Sequence, residues 1–193
     1  DATDEAYPAT YWPGGSDVAS AFPATLGSGG YADIGTIFIR KAPRYRVRVM
    51  VQGTCAEDDG VDLYLLRRDG VTSNLGEFPC PGEVLLRGFD PGSYALYASS
   101  ARRTGDLSTI LSGSATFEIS AKNASLTLAL QPDVIIEGQL IIADGATAPK
   151  IVPRIVTKPF ELLPGAQLDT GTAIMWAPDQ RHFQLAVSRS EEH

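Results

Sequence analysis

The stretch "GFDPGSYALYA", residues 88–98, is the key to the architecture of this chain. A Pro-Gly turn runs directly into an alternating strand, Tyr94-Ala95-Leu96-Tyr97-Ala98, which is how a β-strand with a buried face begins. The same alternation surrounds it: "TIFIRK" (36–41), "YRVRVMVQG" (45–53), "VDLYLLRRDG" (61–70), "EVLLRGF" (83–89), "ATFEIS" (115–120), "SLTLALQ" (125–131), "VIIEGQLII" (134–142) and "FQLAVS" (183–188). Each run is short and bounded by Gly, Pro, Asn or Asp, which predicts an all-β chain with one buried face per strand. In "YRVRVMV", Tyr45, Val47, Val49 and Val51 share one face and Arg46 and Arg48 the other. Helical spacing survives only around 160–166, where Pro164 opposes it.

A repeat underlies the pattern. "GTIFIRKAPRYRVRVMVQG" and "SLTLALQPDVIIEGQLIIADG" share one plan, an alternating strand, a break at Pro, then a longer strand ending near Gly. Placing Pro43 on Pro132 gives a period of 89 residues, close to the roughly 100 residues of a seven-stranded sandwich. Residues 43–132 therefore read as one complete domain. Residues 1–42 read as the late strands of an incomplete sandwich, and residues 133–193 as the early strands of a further one. Only the middle copy carries the Pro-Gly-x-Tyr strand.

"GFDPGSYAL" resembles the Gly-hydrophobic-x-Pro-Gly-x-Tyr signature of bacterial carboxypeptidase regulatory-like domains. The segment "YPATYWPGGSDVASAFPATLGSGGYADIGTIFIRKAPRYRVRV" is similar to the junction between tandem copies in large secreted bacterial proteins, and "VIIEGQLIIADGATAP" to the opening of a further copy. The resemblance implies tandem Ig-like or transthyretin-like (prealbumin-like) antiparallel β-sandwiches in a secreted or cell-surface setting. It implies no activity.

The two flanking pieces are complementary. An incomplete sandwich exposes apolar faces and unpaired edges, so residues 1–42 are expected to complete 133–193 within one chain or, by head-to-tail strand exchange, between two. An arbitrary cut from a longer protein is the alternative. The start, "DATDEAYPAT", reads as the middle of a protein and has no charged-then-apolar leader.

Composition narrows the function classes. The chain has 193 residues, 44% hydrophobic and 20% charged, with 19 Gly and 13 Pro, a globular balance rich in turns. A net charge of −7 disfavours nucleic acid as a partner. No apolar run reaches the roughly 18 residues of a membrane helix. Nucleophile elbow, phosphate-binding Gly loop and zinc-spaced Cys or His pairs are all missing from the sequence, and the two histidines, His182 and His193, suggest no acid–base partnership. The expectation is a non-enzymatic protein without a cofactor.

Four features remain. Cys55 and Cys80 permit one disulfide and hence an oxidising compartment, with two buried free thiols as the alternative. Glu57, Asp58, Asp59 and Asp62 crowd one loop that could hold Ca²⁺, although the EF-hand spacing is missing and a solvated acidic turn is the simpler explanation. Tyr7, Tyr11 and Trp12, among two prolines, could stack on a polysaccharide or cap a core edge, and Trp176 reads as a core or interface residue. Asn123-Ala124-Ser125 fits a glycosylation sequon. The leading expectation is a rigid spacer or filament subunit that associates with itself or with neighbouring domains. Its alternative is a carbohydrate-binding or accessory module of a larger secreted or cell-surface protein.

Overall fold

The structure is a computed structural model, and it describes residues 4–16, 18–55, 60–100, 110–141, 161–163, 166–167, 174–176 and 181–187. The chain is all-β. Its strands are β1 (Asp4–Ala6), β2 (Ala42–Gln52), β3 (Gly60–Arg67), β4 (Thr72–Pro79), β5 (Gly82–Phe89), β6 (Gly92–Ser100), β7 (Leu111–Ile119), β8 (Ala124–Ala129), β9 (Gln131–Pro132), β10 (Val134–Gln139), β11 (Glu161–Leu163), β12 (Ala166–Gln167), β13 (Ile174–Trp176) and β14 (His182–Val187). One sheet has the order β1-β2-β5 with β8 also on β2, a second is β4-β3-β6-β7-β9, a third is β10-β14-β13, and β11 pairs with β12. Residues 161–163 and 166–167 are thus strands where the spacing suggests a helix. Pro164 lacks the N–H that a helix interior needs.

Chain contacts divide the protein into two compact units, Asp1–Val47 with Leu85–Gly92 and Glu118–Ala124, and Arg48–Val84 with Ser93–Phe117 and Ser125–His193. In the first, the alternation of β2 buries Tyr45 and Val47. Its polar face is held by charge. Arg44 Nη1 lies 2.5 Å from Asp90 Oδ2 and donates to Gly88 O at 3.1 Å, while Nη2 donates to Tyr7 O at 2.8 Å. The "GFDPG" turn is therefore fastened to the start of β2 by one guanidinium, whose planar fork suits several acceptors at once. β1 runs antiparallel to β2 with Asp4 opposite Arg44 and Ala6 opposite Ala42.

In the second unit the remainder of β2 buries Val49 and Val51, and Arg48 pairs with Glu83 at 3.4 Å. β6 departs from the one-face expectation, because Tyr94, Ala95, Leu96, Tyr97 and Ala98 are all buried. The register explains which side each serves. Leu63, Leu65 and Arg67 oppose Ala98, Leu96 and Tyr94 on one face, whereas Tyr64 and Leu66 oppose Tyr97 and Ala95 on the other. Leu66, Ala95, Tyr97 and Tyr64 form a separate apolar cluster on that second face. β3 is hydrogen-bonded along both edges, so β11 and β12, which lie against it, cover one of its faces. On the first face Tyr94 stacks on Phe117 with ring centroids 5.5 Å apart.

The strand directions of the central region follow from its cross-strand contacts. Arg46 N donates to Asn123 Oδ1 at one end, and Leu130 N donates to Gln52 O at the other. Both strands advance in the same sense, so β8 runs parallel to β2. β5 is antiparallel to β2, since Arg44 meets Asp90 and Arg48 meets Glu83.

The two Pro breaks of the repeat have the same pairing. Pro43 lies opposite Glu5 of β1, and Pro132 lies opposite Leu111 of β7, both antiparallel. The second break is further pinned, with Asp133 N donating to Ile110 O at 2.9 Å and Ser112 Oγ donating to Asp133 Oδ1. Burial pushes the Asp133 carboxyl above the ordinary carboxylate range, and the Ser112 hydroxyl partly offsets this.

Candidate functional site

The aromatic cluster near the N-terminus is built around a tight turn. Gly14 N donates to Tyr11 O and Tyr11 N to Gly15 O, at 2.6 and 2.7 Å. Gly14 has φ of 150°, a conformation that suits glycine. Trp12 anchors the chain on its way to residue 34. Its carbonyl accepts from Phe22 N at 3.0 Å, its ring meets Phe22 edge-on at 5.9 Å, and its indole N–H donates to Ile34 O at 2.6 Å. Tyr7 instead stands beneath Lys41, whose Nζ is 5.9 Å from the ring centroid. Tyr7, Tyr11 and Trp12 thus serve separate contacts, and the polar handle of Trp12 is used to hold residue 34.

Beyond this anchor the chain makes no strand from residue 21 to residue 41. The alternation of "TIFIRK" predicts a strand, but the segment has no partner edge among the described residues. Consequently Ile37, Phe38 and Ile39 are 39%, 71% and 59% exposed. The segment starts from a fixed point. Gly35 N donates to Asp33 Oδ1 at 2.8 Å, and Gly35 has φ of 71°, which a side chain would oppose.

A second unsatisfied feature is the edge of β10 that has no partner among the described residues. β14 lies on one side of β10, with Val134 opposite Val187, Ile136 opposite Leu185 and Gly138 opposite Phe183. Along this face Val134 and Ile136 are 41% and 46% exposed. Trp176 and Phe183 meet at 5.2 Å, and the Phe183 ring occupies the space that a side chain at 138 would need. The opposite face is turned inward, where Ile135 and Ala186 pack with Ile110. An edge strand flanked by exposed apolar residues is a template for another strand.

The other residues singled out by the sequence are scattered. Cys55 and Cys80 form a disulfide, with Cα atoms 5.7 Å apart. Glu57, Asp58 and Asp59 lie outside the described residues. Asp62 sits in β3 opposite Glu77 and Ser99, and it adds to the burial that raises the Tyr64 hydroxyl pKa. Among the described residues no three His, Cys, Asp or Glu side chains converge as a metal site. His182 opens β14 opposite Gln139, and His193 lies outside the described residues. Asn123 of the sequon accepts from Arg46 N of β2 through its side chain. Arg44 carries no mark of its own in the sequence, since nothing in "APRYRV" singles out one arginine as a clamp; Asp90 in the turn is the available signal. No helix among the described residues is long and apolar enough to cross a membrane.

Compared with known protein families and with curated proteins, the sequence matches neither a family nor a curated relative.

Proposed function

We propose that the chain is a non-enzymatic extracellular structural protein, a rigid β-sandwich subunit that assembles head to tail by strand exchange. The observation that carries this reading is the segment 36–41, whose alternating apolar side chains are exposed and joined to no sheet among the described residues. Water does not stabilise such a segment, and a sheet edge in another molecule would. The sheet orders β8-β2-β5 and β4-β3-β6-β7 support a two-sheet sandwich for residues 43–132, and the resemblance of "GFDPGSYAL" alone makes it one of the transthyretin-like, carboxypeptidase regulatory-like kind. Tandem copies are supported by the 89-residue repeat, whose two prolines each lie in an antiparallel pair, Glu5↔Pro43 and Leu111↔Pro132. Stiffness follows from the joins being short and hydrogen-bonded rather than flexible. The Cys55–Cys80 disulfide supports an oxidising, extracellular location.

Size-exclusion chromatography with light scattering tests the reading. The expected result is a mass that climbs with concentration in multiples of the 20.6 kDa chain. A constant monomer mass at every concentration would sink it.

A further inference from the structure

Resting on the head-to-tail reading, the repeat also identifies where the free segment docks. The 89-residue shift that carries Pro43 onto Pro132 carries β2 onto β10 and the free residues 35–40 onto β8. In the structure β8 lies parallel along β2, with Leu130 against Gly53, whose missing side chain would meet the Leu130 Cβ at 3.0 Å. Moving toward the N-terminus by two residues at a time along both strands places Leu128 beside Val51 and Leu126 beside Val49. Of these four, all but Leu126 are buried, and Leu126 is half-buried. Their counterparts one repeat away are Ile39 with Leu140 and Ile37 with Gly138.

Three observations agree with this transfer. Leu140 N donates to Arg181 O beside β14, so the odd-numbered backbone groups of β10 face its other edge, and these are the counterparts of Arg46 and Gln52, whose backbone groups face β8. Ile37 and Ile39 share a face once the segment is a strand, and the transfer puts them on the face of Val134 and Ile136, the apolar and exposed side of β10. Among the described residues neither element has this partner in its own chain: β10 is bonded only to β14, and residues 35–41 belong to no sheet.

We infer that residues 36–41 of one copy add as a parallel strand to the open edge of β10 in a second copy, with Ile39 beside Leu140. Each molecule then offers one segment and accepts another at a different strand. Such a contact is heterologous, and it propagates rather than closing as a symmetric dimer.

Cysteine cross-linking tests the pairing. The native cysteines are already bonded to each other, and neighbouring strands stand at about 4.8 Å, within reach of a disulfide. Under mild oxidation the Ile39→Cys/Leu140→Cys chain should give a ladder of covalent oligomers on a non-reducing gel. Mixing the two single variants should give a covalent heterodimer and no longer species. Phe38→Cys/Leu140→Cys, with its thiols on opposite faces, should lose the ladder. A covalent monomer in the first variant would mean closure within one chain and would overturn the inference. No cross-link in a sample that light scattering shows to be oligomeric would overturn this docking but spare head-to-tail assembly. No cross-link and a monomeric mass would overturn both.

Discussion

Replacing Leu96 by Ala should destabilise the chain by about 2–5 kcal/mol, the usual cost of emptying a fully enclosed leucine site. Leu96 is at the centre of "GFDPGSYALYA", has no exposed surface, and lies opposite Leu65 in the middle strands of its sheet. Its in-line neighbour Tyr94 is fixed by stacking on Phe117, so the surroundings have little freedom to collapse into the void. Urea unfolding followed by tryptophan fluorescence and circular dichroism would measure the loss as a lower midpoint at similar slope. Leu96→Met, which keeps the volume, should cost less than about 1.5 kcal/mol. A Leu96→Ala chain within about 1 kcal/mol of the parent would show that this stretch is not the core.

Removing the disulfide is the other large effect. The bond joins positions 25 residues apart, and closing a loop of that size stabilises by about 3 kcal/mol through the entropy it removes from the unfolded chain. Cys55→Ala/Cys80→Ala should therefore unfold at a clearly lower urea concentration. Reductant should shift the parent to the same midpoint and leave the variant unchanged. Equal midpoints for parent and variant under oxidising conditions would show that the bond adds nothing to stability.

Much of this architecture is legible in the residues, and the misreadings share one cause. "YRVRVMV" announces its own faces, and Tyr45, Val47, Val49 and Val51 are buried as the alternation requires. "TIFIRK" carries the same alternation, yet among the described residues it joins no sheet. Periodicity reports which side chains share a face; it does not supply the edge that must be met before the face is buried. β6 errs in the opposite direction. "SYALYA" looks like alternation between large and small residues, but both of its sides are buried, and β11 and β12, which lie against the neighbouring strand β3, come from far along the sequence. Long-range covers leave no local mark.

The aromatic cluster illustrates a different limit. Tyr7, Tyr11 and Trp12 are neighbours in sequence, which invites a common purpose. The partners of Tyr7 and Trp12, which are Lys41, Phe22 and Ile34, come from elsewhere. In Trp12 the hydrogen-bond donor is used to lead the chain toward the free segment, so its role concerns the path of residues 22–34. Pro43 and Pro132, which the 89-residue repeat superposes, each lie in an antiparallel pair, opposite Glu5 and Leu111, although those partners are not themselves 89 residues apart.

Electron microscopy of the purified chain over a range of concentrations puts head-to-tail assembly itself to the test. Addition of residues 36–41 to β10 predicts unbranched fibres one molecule wide that lengthen with concentration, and that are lost when Ile37 and Ile39 are both changed to Asp. Isolated particles of single-chain size at every concentration would contradict it.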